Sequence, residues 1–150
     1  MNDYDLRILS FQSQMEENKS TSKKIKGLAF VCLFFSFCYA LPADYIGTAS
    51  KSDLYVRYVV WILALLGIVG SFVMESRKVK QNKALEWEIF RLEKEKHQAR
   101  VEIAEITGET LTDYILNQQI DEPKNEIILP IGYYSVLLIL NVFVWLFLIM

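Results

Sequence analysis

The residues best suited to chemistry are few and scattered along the chain. His97 is the single histidine, and Glu93 lies one helical turn before it in a charged stretch, which is typical of a solvent-facing residue. Cys32 and Cys38 lie on different faces of a helix, so the spacing favours neither an intrachain disulfide nor a metal site. The carboxylates of Glu86–Glu109 follow helix-surface spacing and not the pairing that general acid–base catalysis requires. We therefore predict no catalytic residue, no cofactor site and no metal site, and expect that the protein is not an enzyme.

A second group of polar and small residues lies inside apolar segments, where the relevant chemistry is packing or permeation. Small residues recur every fourth position in two segments, a pattern that lets helices approach closely, either within one chain or between subunits. Asn141 stands alone in a third segment, where it either bonds across helices or faces an aqueous pore. No acidic residue lies within these segments, so the sequence offers no proton relay. The helix-packing or pore candidates are Cys32, Ser36, Ala40, Gly67, Ser71 and Asn141.

The apolar segments decide the class of protein. The chain has 150 residues, of which 53% are hydrophobic and 23% charged, yet Gly27–Leu41, Leu54–Met74 and Ile127–Met150 together contain one charged residue, Arg57. Such segregation excludes an ordinary soluble domain and a disordered chain. The two longer segments exceed the ~20 residues that a helix needs to cross a bilayer. The first segment is shorter and could be a core helix, but its closeness to the second segment favours the interpretation that it also spans the membrane.

The basic residues predict how these spans are oriented. Lysines precede the first span and a basic cluster follows the second, whereas the intervening loop holds only Lys51. Because cytoplasmic loops are enriched in Lys and Arg, we expect a multi-pass protein of the cell inner membrane with its N-terminus in the cytoplasm and its C-terminus outside. The cluster is either a topology signal that contacts anionic lipid or, with Lys94, Lys96 and Arg100, a site for an anionic ligand. Its members are Arg77, Lys78, Lys80 and Lys83.

A heptad pattern follows the second span. Apolar residues alternate at intervals of four and three, as in a coiled coil, and the polar residues Asn82 and Lys96 fall in the same register. The pattern fits either self-association or one amphipathic helix packed on its own chain. We define the seam as Leu85, Ile89, Leu92, Ala99, Ile103 and Ile106.

The N-terminal stretch carries a matching apolar stripe. It repeats at the same intervals and predicts a helix that packs on the seam, the alternative being the membrane surface. The stripe consists of Tyr4, Ile8, Phe11 and Met15.

These elements predict an all-α integral membrane protein with three transmembrane helices and a cytoplasmic helical or coiled-coil segment. Residues 1–24 form a cytoplasmic amphipathic helix, 25–75 a two-span hairpin, 76–126 the heptad helix with a return segment, and 127–150 the third span. Thr107–Gly108 should interrupt the heptad helix, and a short second helix should follow from Thr110 to about Gln119. Pro130 should stand in the first turn of the third span.

The order of parts over about residues 4–106 resembles the SLATT-type proteins, which are two-span effectors found beside nucleotide-signalling enzymes in bacterial defence systems. The likeness is one of layout and carries over no functional residue, and the span Ile127–Met150 is an addition to the two-span plan. The resemblance implies an oligomeric membrane effector whose pore opens on a signal, with a nucleotide second messenger as candidate ligand.

Two functions follow as hypotheses. The first is an oligomeric, channel-like membrane effector gated through its cytoplasmic helices, with the lipid bilayer and further copies of the chain as partners. The second is a membrane-anchored scaffold or accessory subunit that recruits a cytoplasmic protein through the seam. A net charge of −2 gives no reason to expect binding to a nucleic-acid duplex.

Overall fold

The computed structural model describes residues 3–40, 51–107 and 120–149, and within them helices are the only regular secondary structure. Helix α1 runs over Asp3–Ala40, α2 over Lys51–Thr107 and α3 over Ile131–Ile149. The all-α prediction is therefore confirmed. The two longer helices continue through the predicted domain boundaries at residues 24 and 75 without a break.

Local sequence accounts for several helix ends. Asp3 and Asp5 lie in the first turn of α1, where negative charge interacts favourably with the helix dipole. The described part of α2 runs to Thr107, whose hydroxyl donates to the carbonyl of Ile103 at 2.8 Å, and the predicted interruption at Gly108 lies outside the described residues. Pro130 stands immediately before α3 and its carbonyl accepts from the Tyr134 amide at 3.4 Å. The predicted outer loop around residues 41–50, the short helix over 110–119 and the terminal Met150 lie outside the described residues.

Two compact units divide the described residues. The apolar unit takes the described parts of Lys19–Val79 and Ile128–Met150, and the charged unit takes those of Met1–Asn18 and Lys80–Ile127. In the apolar unit, segments of all three helices pack around a small buried core. The members of that core are Ala29, Leu33, Ile68, Tyr134 and Leu137.

The charged unit pairs the start of α1 with the second half of α2. Asn18 donates to the side-chain oxygen of Asn82 at 2.8 Å, and the Lys96 ammonium pairs with the Asp5 carboxylate. Both α2 partners are the polar residues in the register of the seam. The predicted packing of the N-terminal helix on the seam is thus confirmed, and these two pairs fix an antiparallel register.

Membrane-spanning potential is shown for one helix. Among the described residues, α2 from Tyr55 onward includes a stretch long and apolar enough to cross a bilayer, while the apolar run of α3, Ile131–Leu146, is shorter. Arrangement as three spans stays a prediction.

Candidate functional site

The most unusual polar group in the apolar unit is the carboxylate of Glu75, because its side chain is only 2% exposed. Three side chains from the other two helices contact it. Ser22 of α1 donates its hydroxyl to Oε1 at 2.8 Å, the Lys26 ammonium lies 3.2 Å from the same oxygen, and Tyr134 of α3 donates its hydroxyl to Oε2 at 2.8 Å. We call these four residues the junction, since they join all three helices at one point.

The junction satisfies a charge that would otherwise be costly to bury. A buried carboxylate without partners is strongly unfavourable, whereas one that is ion-paired and hydrogen-bonded on both oxygens is tolerated. Lys26 supplies the positive charge and is itself held by Tyr133, whose hydroxyl donates to the Lys26 carbonyl at 3.0 Å and whose ring centroid lies 5.9 Å from the ammonium. Because the Lys26 side chain is 44% exposed, its other side faces out of the unit.

Sequence reasoning missed this site. Glu75 stands one residue after the predicted span Leu54–Met74 and next to the basic cluster, so its charge gives no sign of burial. A signal was present in helical spacing, because Gly67, Ser71 and Glu75 continue one stripe at intervals of four residues, and this stripe contacts α1. The expectation that no acidic residue serves the spans therefore needs amendment at this position.

Further polar side chains are buried in the apolar unit. Ser36 is 2% exposed, Ser71 3% and Asn141 0%. Among the described residues, the Ser36 hydroxyl and both amide atoms of Asn141 have no hydrogen-bond partner, and the same holds for the Ser76 hydroxyl beside Glu75. Asn141 is thus neither bonded across the described helices nor exposed on the surface of the unit; its backbone carbonyl alone accepts a bond, from the Trp61 indole at 3.1 Å.

The small-residue candidates contribute to the hairpin of α1 and α2. A Cβ atom added at Gly67 would lie 2.6 Å from the Cys32 sulfur, so this position requires glycine unless Cys32 moves. Cys32 is half-buried and Cys38 exposed, and both are free thiols. Ala40 ends α1. The structure therefore places the Cys32–Gly67 approach within one chain.

The seam is covered unevenly. Leu92 is buried, and Leu85, Ile89 and Ala99 are half-buried, whereas two residues near the end of α2 point outward. Those two are Ile103, 59% exposed, and Ile106, 85% exposed.

The four residues predicted to contact an anion or lipid differ in exposure and pairing in the structure. Lys83 forms an ion pair with Glu86 at 3.0 Å, while Arg77 and Lys80 are exposed and Lys78 is half-buried with an interaction of its own.

A cleft in the charged unit contains His97 together with Lys96 and Arg100, so part of the predicted anion site does converge there. The cleft has a volume of about 480 Å³ and also includes three carboxylates, those of Asp5, Glu93 and Asp121. Its mixed charge does not favour an anionic ligand. Lys94 is exposed and is not among the residues that line it.

Comparison with known proteins gives no match: no family model, no curated protein and no solved structure is similar to the chain. The function proposed for the chain therefore depends on its sequence pattern and its geometry.

The geometry of the junction permits proton chemistry. The junction is a hydrogen-bonded network of one carboxylate, two hydroxyls and one ammonium, which is able to hold or pass a proton. Among the described residues no group of three His, Cys, Asp or Glu side chains is placed to bind a metal ion.

Proposed function

We propose that this chain is a three-span membrane protein that acts as an oligomeric, channel-like effector gated through its cytoplasmic helices. The observation that carries the proposal is the continuity of α2, which holds both the apolar stretch after Tyr55 and the charged seam in one helix ending at Thr107. A continuous helix transmits a rotation or tilt from one segment to the other because it has no flexible linker.

The exposed surface of the apolar unit supports a membrane location. Every exposed residue is apolar in one stretch of each helix. These stretches are residues 28–37 of α1, 56–69 of α2 and 136–146 of α3. Soluble proteins rarely expose apolar patches larger than a few hundred Å². Hydrocarbon is the medium in which such a surface is stable.

The direction of the helices supports the proposed orientation. The Lys26–Glu75 pair and the Cys32–Gly67 approach together make α1 and α2 antiparallel in this unit, which brings the lysines before the first span to the same end as Arg77. Contacts of Tyr134 with Glu75 and of Trp61 with the Asn141 carbonyl make α3 antiparallel to α2. Both basic runs then fall on one side of a membrane, as the excess of cytoplasmic Lys and Arg requires.

Reconstitution tests the proposal directly. The full chain is placed in liposomes and the efflux of K⁺ and of protons is followed with dyes, alone and with a panel of cyclic mono- and dinucleotides on the side of the N-terminus. Ligand-dependent ion flux is expected from a gated effector. A bilayer that stays tight under every condition would contradict it. Nucleotides are chosen because the order of parts in the sequence resembles that of SLATT-type proteins, which lie beside nucleotide-signalling enzymes.

A membrane-anchored scaffold is the second candidate, and the exposure of Ile103 and Ile106 favours it. These residues continue the seam beyond the part covered by the start of α1. Cross-linking and native mass measurement in detergent separate the two functions. A symmetric homo-oligomer supports the effector, whereas a monomer that captures a different protein supports the scaffold.

A further inference from the structure

The buried polar residues of the apolar unit fall into a row when the helix register is followed. At one end, Tyr134 meets Glu75 and stacks edge-on against Phe72 at 5.4 Å between ring centroids. Seven residues later on α3 comes Asn141, about 10 Å further along the helix at 1.5 Å per residue. Leu137 packs with Ile68, and the Trp61 indole of the antiparallel α2 donates to the Asn141 carbonyl at 3.1 Å, so Asn141 lies between the levels of Ile68 and Trp61.

Ser36 on α1 reaches almost the same level. Cys32 lies against Gly67, and Ser36 stands one turn further along α1, which corresponds to about Ala64 on α2. Ser36 and Asn141 are thus within about one turn of each other, both are buried, and neither side chain has a partner among the described residues. On the other side of Ile68, Ser71 lies about one helical turn from Glu75 on α2.

We infer that ions cross this protein along this interior row within each protomer, rather than between subunits, and that the ion conducted is the proton. The inference rests on the proposed channel-like function and deepens it by naming the path and the substrate. The polar row consists of Ser36, Asn141, Ser71 and Glu75.

The outward surface does not offer an alternative path of comparable polarity. A pore between copies would be walled by exposed side chains, and these are all apolar over the stretches named above. In contrast, the interior holds polar atoms whose hydrogen bonding is incomplete, and such atoms bind water when a buried site admits it. Asn141 is fully buried inside its own protomer, so another copy cannot reach it without repacking of α3.

The chemistry of the junction selects the proton. A metal cation would need several oxygen ligands and would meet the Lys26 ammonium, which lies 3.2 Å from Glu75 Oε1. A proton needs only an acceptor and a chain of hydroxyls or water. Ser22 and Tyr134 place one hydroxyl on each carboxylate oxygen.

The transfer is balanced. A proton that arrives through the row converts the Glu75 carboxylate to the neutral acid, and its ion pair with Lys26 is lost while Lys26 stays charged. The acid then releases the proton to water at the exposed side of Lys26 and the carboxylate re-forms. One proton enters and one leaves, no other reactant is consumed, and the proton gradient sets the direction.

Ile68 closes the row in the described conformation. Its side chain is 0% exposed and packs with Leu33 and Leu137 between Ser71 and Asn141. An apolar constriction of this kind blocks conduction by staying dry. Opening therefore requires that water enter past Ile68.

The experiment replaces this constriction. Ile68→Ser in the full chain, reconstituted in liposomes without any nucleotide, should raise proton flux at least tenfold and leave K⁺ flux unchanged. Val69→Ser is the matched control, because Val69 is 42% exposed on the neighbouring position and its replacement should change neither flux. Adding Glu75→Gln or Asn141→Leu to Ile68→Ser should return proton flux to the wild-type level.

Other outcomes would reject the interior path, the selectivity for protons or the proposed function. Absence of proton flux in folded Ile68→Ser, or flux that survives both Glu75→Gln and Asn141→Leu, would overturn the interior path; K⁺ flux equal to proton flux would overturn selectivity. Nucleotide-gated K⁺ flux in wild type that Asn141→Leu leaves intact would keep the proposed function and reject the inference. Proton flux through Ile68→Ser, together with a wild type that conducts no ion under any condition, would keep the interior path and reject the proposed function. Ile68→Ala serves as the smaller change if Ile68→Ser does not fold.

Discussion

Tyr134 of α3 donates its hydroxyl to Glu75 of α2 at 2.8 Å, and both side chains are at most 2% exposed. This bond is the one polar link among the described residues by which an α3 side chain reaches α2. Ser22 and Lys26 link α1 to the same carboxylate. One acidic residue therefore joins all three helices of the apolar unit, whereas the Trp61–Asn141 and Tyr133–Lys26 bonds each join two of them.

Removal of the Tyr134 hydroxyl should weaken the apolar unit. Tyr134→Phe keeps the ring against Phe72 but deletes a buried bond to a charged acceptor, which costs about 1.5–3 kcal/mol. The thermal midpoint of the detergent-solubilised chain should fall, as followed by circular dichroism. Tyr133→Phe is the matched control: it loses a bond at 3.0 Å to the Lys26 carbonyl in an exposed position and should cost clearly less. Equal effects of the two variants would contradict a special role for Glu75.

The ion pair of the junction gives a second prediction. Lys26→Met leaves the Glu75 carboxylate buried without a counter-charge and should destabilise the unit by about 2 kcal/mol, below the cost for a fully buried pair because Lys26 is half exposed. Combining it with Glu75→Gln should recover much of that loss, since the amide carries no charge. Lys24→Met removes an exposed lysine nearby and should have little effect.

Thermal unfolding of the four chains forms a double-mutant cycle. A double variant whose loss equals the sum of the two single losses would show that Lys26 and Glu75 are not coupled.

Much of the helical architecture follows from sequence because it depends on local pattern. The apolar segments, the 4–3 spacing and Pro130 are all readable along the chain, and α3 begins immediately after that proline. Even the docking of the N-terminal helix is foreseeable, since two matching stripes each need a partner. Pairing of Asn82 with Asn18 and of Lys96 with Asp5 explains why polar residues fall in the register of the seam.

The junction resists prediction because burial depends on neighbours distant in sequence. Glu75 is 53 residues from Ser22 and 59 from Tyr134, so its environment exists only once three helices meet. The neighbouring charges instead indicate an exposed position, because Arg77 and Lys78 follow at once. Asn141 illustrates the same difficulty, since sequence marks it as unusual without showing that it faces inward.

The approach of α1 to α2 at Gly67 gives a third prediction. Gly67→Ala should destabilise the hairpin because the new methyl would meet the Cys32 sulfur at 2.6 Å. Cys32→Ala in the same chain should restore stability by removing that sulfur. Gly70→Ala is the control, since nothing lies within 4 Å of its added Cβ and alanine favours helix. Thermal midpoints in detergent measure all three, and a Gly67→Ala chain as stable as wild type would contradict the close approach.

The seam gives the fourth prediction, in which isoleucine is replaced by aspartate at either of two positions. Ile89→Asp places a charge at a half-buried position and should destabilise the charged unit by about 1–3 kcal/mol. Ile103→Asp lies on a 59% exposed position and should leave the thermal midpoint almost unchanged. If the outer part of the seam joins copies of the chain, Ile103→Asp should nevertheless lower the oligomer mass seen by native mass spectrometry.

Gln98→Asp adds the same charge at an exposed position off the seam and should change neither quantity. It therefore separates loss of the apolar contact at Ile103 from a general effect of negative charge on this helix. An Ile103→Asp chain that keeps both its oligomer mass and its protein partners would show that the end of α2 is not an assembly surface. Self-association, if present, would then have to come from the apolar faces of the helices, where side chains such as Leu66 and Phe143 are exposed.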